Sequence, residues 1–301
     1  MHLTTSRITT EKLEELLGKA AQPRHASGNA CIQLCYFIEQ CRSSKSSQIQ
    51  DIALSQKTCL EIFTFYIEWN EKNQNRSMRQ VLELLASLIA QNTKKETSNS
   101  MKELILLRII SIVTHRAAQP LVKPAFKSLE YFLGKGTISP QDLLDVYETR
   151  AISDGSLHDG LAEQYMRWDS LISEVFDWMT LPDVSPAAGK CLVTLFGQLR
   201  ESIESSLVNY ALLWQQWIRL GLNRNPDALE NVKNYLFPPL FKLDRSGSLA
   251  FLEELNQERP ISDFQNQELN AHSLLQLAAM EVGKKAGLIE EPSEWFFSIP
   301  I

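Results

Sequence analysis

Along most of the chain, apolar residues recur at intervals of three and four, the spacing that gathers side chains on one face of a helix. Leu13, Leu16, Leu17, Ala20 and Ala21 draw the first stripe, after Thr9 and Thr10 as capping residues and with Glu11 in the first turn. Cys31, Leu34, Cys35, Ile38 and Cys41 draw a second, and Ile49, Ile52, Ala53, Leu60, Phe63 and Ile67 a third. Met78, Val81, Leu82, Leu85, Leu88 and Ile89 form a fourth. None of these runs alternates with the period of two that a half-buried strand requires.

The stretch 92–100, NTKKETSNS, is polar throughout and reads as a long connector. Beyond it, Met101–Arg116 is apolar on nearly every face, with Leu104, Ile105, Leu107, Ile109, Ile110, Ile112 and Val113, which predicts a central helix covered on both sides. Pro120 ends that helix; Lys123–Leu133 follows, with Pro124 in its first turn and Gly134 as a left-handed stop. Ser139-Pro140-Gln141-Asp142 opens a helix over Gln141–Arg150, Ser185-Pro186 one through Leu199, and Asn225-Pro226 one through Phe237. Between these lie a long helix marked by Leu161, Trp168, Leu171, Ile172, Val175, Phe176 and Met179, and another marked by Leu207, Tyr210, Leu213, Trp214, Trp217 and Ile218 that stops near Gly221. Pro238-Pro239 breaks the next helix, Ser246-Gly247-Ser248 restarts a short one, and Leu269–Ala286 is the last.

Roughly a dozen helices at this density give one helical hairpin per about 45–50 residues, close to the HEAT/armadillo period of about 40–47. Each pair carries too much apolar surface to bury alone and must stack on its neighbours. The fold expected is therefore all-α, a HEAT/armadillo-like helical-repeat solenoid of antiparallel helix pairs running continuously over 1–290. Subdivision would fall near 92–100 and 151–160, and 291–301 would form an apolar extended C-terminal tail. No strict internal repeat is visible, so a compact multi-helix bundle stands as the alternative.

Composition agrees: 12 glycines in 301 residues leave little room for a glycine-rich Rossmann or β fold. The net charge of −6 argues against a globally basic nucleic-acid binder, but it conceals an asymmetry. Residues 1–150 carry 19 Lys/Arg against 15 Asp/Glu, and residues 151–301 carry 11 against 21, so the halves are positive and strongly negative. Five cysteines, four of them within 31–59, form no disulfide framework for a chain of this length and point to a reducing compartment, the cytoplasm or the nucleus. The start has no apolar segment of signal-peptide type, and the most apolar run, Leu104–Val113, is short and holds Arg108, so no membrane partner is expected.

Chemistry-bearing patterns are sparse. Cys31-x3-Cys35-x5-Cys41 could offer thiolates to zinc, but a second ligand pair is missing and the same positions continue an apolar stripe, so they read as core cysteines. His2, His25, His115, His158 and His272 are scattered, none paired with another ligand at helical spacing. Asp154-Gly155 and Asp159-Gly160 have turn chemistry without the further oxygen ligands a calcium loop needs. Gly134-Lys135-Gly136-Thr137 looks like the end of a phosphate loop but follows a helix rather than a strand and reads as a helix cap. No catalytic residue, metal ligand or cofactor is assigned, no small-molecule substrate is expected, and an enzyme is the least favoured class.

What remains are surfaces. Lys94, Lys95, Lys123, Lys127 and Lys135 lie on neighbouring elements of the positive half and are candidate contacts for RNA or a partner protein, if they fall in register along one face with aromatics between them. Trp168, Trp178, Tyr210, Trp214 and Trp217 sit mostly on apolar stripes and read as core. Trp295, Phe296 and Phe297 close the chain with large apolar residues, whereas a terminal repeat needs a polar outer face. They are candidates for an apolar docking tail, and the chain reads as a fragment of a longer array.

In the C-terminal third, Leu236-Phe237-Pro238-Pro239-Leu240-Phe241, Phe251-Leu252-Glu253-Glu254-Leu255 and the run from Val282-Gly283-Lys284-Lys285 to Ile299-Pro300-Ile301 resemble the N-terminal region of fungal members of the thyroid adenoma-associated protein family. These are very large HEAT-like proteins, and a yeast relative is an accessory subunit of a tRNA ribose 2′-O-methyltransferase. The resemblance implies a non-catalytic scaffold that positions a tRNA methyltransferase, its protein partner, on tRNA. An array that binds RNA directly through its basic N-terminal half is the alternative.

Overall fold

The computed structural model describes residues 56–68, 75–92, 98–153, 164–203, 210–258 and 271–289, together with isolated helical positions between 12 and 40. All regular structure among the described residues is helical, with no strand. The chain divides into two compact units, Met1–Val146 and Tyr147–Ile301. The stripes at 13–21 and at 31–41 lie almost wholly outside the described residues, as do Ile49, Ile52 and Ala53.

In the first unit, helices α1 (Gln56–Glu68), α2 (Asn75–Asn92), α3 (Ser98–Val113) and α4 (Gln119–Gly134) pack against one another, and α5 (Pro140–Ser153) begins. The predicted stripes point inward: Phe63, Ile67, Val81, Leu85, Leu88 and Ile89 are all buried. α3 is covered on several faces, burying Ile105, Leu106, Ile109, Ile110, Ile112 and Val113. The Phe63 ring lies 6.5 Å from that of Phe132 and 6.4 Å from that of Tyr66, tying α1 to α4 through aromatic contact.

Four local expectations are corrected. The connector is shorter than its polarity suggests, because α2 runs through Asn92 and α3 begins at Ser98, leaving only 93–97 between them. Pro120 opens α4 rather than merely ending the helix before it, since a residue without an N–H loses nothing in the first turn. Pro124 sits inside α4, beyond that first turn. Gly134 is still helical, and the left-handed stop falls on Gly136, at φ 65°. There the Gly136 and Thr137 N–H groups donate to the carbonyls of Leu133 and Phe132, at 2.8 and 3.0 Å, closing the last turn. Gly134-Lys135-Gly136-Thr137 is thus a helix cap, as read. α5 starts where expected, and with a capping box: the Ser139 N–H donates to Asp142 Oδ2 at 2.8 Å, and the Asp142 N–H donates to Ser139 Oγ at 3.1 Å.

The second unit holds α6 (Gln164–Met179), α7 (Ser185–Ile203), α8 (Tyr210–Arg224), α9 (Phe237–Leu243), α10 (Arg245–Glu258) and α11 (Ala271–Lys285). A 3-10 turn (Pro226–Ala228), a single α-turn (Leu229–Asn231) and a π-helical segment (Val232–Leu236) lead into α9. α8 packs on α6 and α10; α7 packs on α6, the π segment and α9; α11 packs on α9 and α10.

Here too the breakers behave differently from expectation. α8 passes straight through Gly221, which is buried; a Cβ there would stand 2.4 Å from the Phe176 ring of α6, so the glycine permits close approach instead of ending the helix. Pro238-Pro239 does not break the chain. With no N–H on either proline, the carbonyls of Asn234 and Tyr235 lose their usual donors, and the backbone widens into the π segment before continuing as α9. Gly189 of α7 meets this spot, where a Cβ would lie 2.9 Å from the Tyr235 carbonyl oxygen. The helix that follows, α10, spans 14 residues and is capped by Asp244 rather than by Ser246.

Candidate functional site

In the first unit the basic candidates fall on one ridge of α4. Lys123, Lys127 and Tyr131 succeed each other at four-residue intervals, and Lys135 follows at the same interval on the C-terminal cap. Lys127 and Lys135 are exposed, Lys123 and Tyr131 half-buried. The Lys135 ammonium stands 5.8 Å from the centre of the Tyr131 ring, a cation–π contact. Burial, and then the nearby Glu83 carboxylate, push the Tyr131 phenol above its ordinary value, partly offset by Arg79. Arg79 and Glu83 of α2 pair at 3.1 Å on the exposed surface. The result is a basic ridge with one aromatic in it, flanked by an ion pair. Lys94 and Lys95 lie outside the described residues, so the structure brings together three of the five lysines. Elsewhere in the unit Lys102 is held in a joint, its ammonium 3.1 Å from Asp142. Burial pushes the Asp142 carboxyl up, but hydrogen bonds from Ser139 and the Lys102 cation outweigh it and hold it below the ordinary value.

In the second unit, buried and half-buried polar side chains bind helix to helix. The Trp214 indole N–H of α8 donates to Asp244 Oδ2 at 2.9 Å, while Asp244 Oδ1 accepts the Gly247 N–H at 3.0 Å. One buried carboxylate therefore caps α10 and anchors α8. The Trp217 indole donates to Asp169 Oδ1 at 2.7 Å, joining α8 to α6. Burial pushes the Asp169 carboxyl up, and the indole bond only partly opposes it. Asp177 accepts from Asn225 and Arg224, and Asn231 donates to the Met179 carbonyl at 2.7 Å. Trp168, Trp178, Trp214 and Trp217 are all buried, as their stripes predict.

The same unit contains a cleft of about 440 Å³ that sequence reading missed. Lys233 and Asn234 line it from the π segment, Pro238, Phe241 and Lys242 from α9, Arg245 from the start of α10, and Val282, Lys285 and Ala286 from the end of α11. Glu281 bridges two of its cations, with one oxygen 2.5 Å from Lys233 Nζ and the other 2.6 Å from Lys285 Nζ. These hydrogen bonds hold the Glu281 carboxyl below its ordinary value and raise the Lys233 ammonium above its own. Arg245 donates to the Gly287 carbonyl at 2.7 Å, at a turn where Gly287 takes φ 63°. Lys242 is exposed and has no ion pair among the described residues. The four cations are spread over more than fifty residues of a strongly negative half, so neither the charge count nor local spacing marked them. The π segment set by Pro238-Pro239 was the signal that could have.

Among the described residues no cluster of three or more His, Cys, Asp or Glu could hold a metal ion, and no helix is long and apolar enough to cross a membrane. Cys59 is buried, and burial pushes its thiol up to about 12; Cys191 is buried as well. Cys31, Cys35, Cys41, His2, His25 and His158 lie outside the described residues, as do Trp295, Phe296 and Phe297. Comparison of the chain with protein-family models, with curated proteins and with solved structures gives no match.

Proposed function

We propose that this all-helical chain is a non-catalytic scaffold that binds protein partners, organised as a HEAT/armadillo-like array of antiparallel helix pairs and acting in the cytoplasm or nucleus. Following the resemblance, its partner is a tRNA ribose methyltransferase, to which it is an accessory subunit. The observation that carries the scaffold reading is the pattern of packing. Within each unit, helices close in sequence pack on one another, and in the second the buried Asp244 and the half-buried Asp169 and Asp177 hydrogen-bond between helices. That is how a repeat array is built, leaving outward faces and loops for partners. The test is removal of the chain from its own cells, followed by mapping of ribose 2′-O-methyl groups in tRNA. Loss of these groups, rescued by the full chain, is the expected result; an unchanged methylation map overturns the assignment.

The second reading, direct RNA binding, is favoured by the ridge Lys123–Lys127–Tyr131–Lys135, which combines cations with a stacking surface. It predicts RNA affinity that falls steeply with salt and weakens on Lys127→Glu across all sequences. Retention of no RNA at low salt removes it.

A further inference from the structure

We propose that the cleft between the π-helical segment, α9 and the end of α11 binds an organic polyphosphate: a small molecule bearing two or more phosphate groups on an apolar or aromatic body. The cleft, about 440 Å³, lies within the range of about 300–1,000 Å³ typical of small-molecule sites and is concave rather than a flat macromolecular face. Its charged lining is cationic: Lys233, Lys242, Arg245 and Lys285, from four different elements. Two carboxylates reach these cations, Glu281, shared by Lys233 and Lys285, and Glu230, 4.0 Å from Lys233, which leaves an excess of two positive charges around one hollow. Asp227, Glu230 and Glu281 line a neighbouring hollow that shares Lys233 with the cleft, and none of the three lines the cleft itself.

Cations gathered in this way repel one another, and a ligand with several negative charges relieves that repulsion at each of them. A single carboxylate would meet one or two; a polyphosphate can meet all four. The groups are also partly pre-positioned. Arg245 is tethered through one N–H to the Gly287 carbonyl and keeps other guanidinium donors, which suit phosphate oxygens. Lys233 and Lys285 are held at opposite oxygens of Glu281, each with further N–H groups. Between the cations, Pro238, Phe241, Val282 and Ala286 supply apolar wall for the ligand's body. The proposal is of binding alone: apart from its lysines, of which Lys233 is held as the ammonium by Glu281, the lining carries no nucleophile or general base among the described residues.

The experiment is isothermal titration of the full chain with ATP and with inorganic pyrophosphate, and with sulfate at matched ionic strength. ATP is expected to bind, pyrophosphate more weakly for want of the body, and sulfate least. Lys242→Glu, at an exposed residue with no partner to lose, should weaken ATP about tenfold or more, the worth of one charge-assisted contact. Arg245→Gln should do likewise, with circular dichroism confirming the fold because it also loses the Gly287 bond. Glu281→Gln should tighten binding several-fold by releasing two lysines, a gain that a purely structural ion pair would not give. Arg116→Glu, a charge reversal at an exposed residue of the other unit, should leave ATP binding unchanged. The proposal is overturned by no binding of ATP up to about 5 mM, by sulfate matching ATP, or by Lys242→Glu and Arg245→Gln binding as the unmodified chain does. Pyrophosphate equal to ATP would remove the organic body from it.

Discussion

Replacing Asp244 by alanine tests the buried joint of the second unit. Three groups lose their acceptor at once: the Trp214 indole N–H, the Gly247 backbone N–H and the Ser246 hydroxyl. Loss of an N-cap costs about 1 kcal/mol, and a buried donor left without a partner costs about 1–3 kcal/mol. Trp214 is completely buried and Asp244 only 4% exposed, so water cannot enter to replace the carboxylate without reshaping the core. Removing a buried charge returns part of this, giving an expected loss of about 3 kcal/mol. Trp214→Phe deletes the donor together with part of the ring, and the space it leaves is common to the single and double variants, so it cancels in the cycle. The double variant should therefore be less destabilised than the sum of the singles, with a coupling of about 1.5–3 kcal/mol, the range for a hydrogen bond to a charged group. The assay is urea unfolding of the full chain followed by far-ultraviolet circular dichroism, with each unit's transition fitted separately. A loss below about 1 kcal/mol for Asp244→Ala, or additive singles, would refute the joint.

Other predictions follow from the same contacts. Gly221→Ala should destabilise the second unit by about 1–3 kcal/mol, although alanine favours a helix, because the new Cβ meets the Phe176 ring; a variant as stable as the parent in urea contradicts the packing. Cys59 should resist alkylation at pH 8 in the folded chain and react once α1 is unfolded, since its thiol is buried and pushed up to about 12; peptide-resolved mass spectrometry of label uptake reads this, and rapid labelling without denaturant would count against it. The Asp142 carboxyl is held below its unfolded value of about 3.9. Its joint with Lys102 and Ser139 therefore stabilises above that pH and is lost as pH falls through the lower folded value. Acid unfolding of Asp142→Asn should then lack this component, and an identical acid limb in both chains would show the joint to be inert.

The helices were legible because their stripes are long and their caps conventional. Val81, Leu85, Leu88 and Ile89 are buried where their spacing puts them, and Ser139 caps the helix it was read as opening, although the return bond from its N–H to Asp142 was not foreseen. What escaped were features that depend on a second element. Gly221 looks like a stop until Phe176 is seen to need its space, and Pro238-Pro239 looks like a break although the backbone absorbs it as a π segment. The ridge of α4 was partly legible, because Lys123 and Lys127 share one helix and Lys135 caps it at the same spacing; the aromatic joining them, Tyr131, was not singled out. The cationic cleft was hidden for the opposite reason, its residues lying on four elements within a half whose net charge is negative.

The claim on which the functional account rests is that the chain works by holding another protein. Its most direct test is light scattering on the full chain, captured from its own cells at physiological salt and treated with ribonuclease. The account predicts one species whose mass exceeds 34.3 kDa by that of an identified methyltransferase and which re-forms when the two purified proteins are mixed. A species at 34.3 kDa, or a complex that collapses to that mass when RNA is digested, would contradict it.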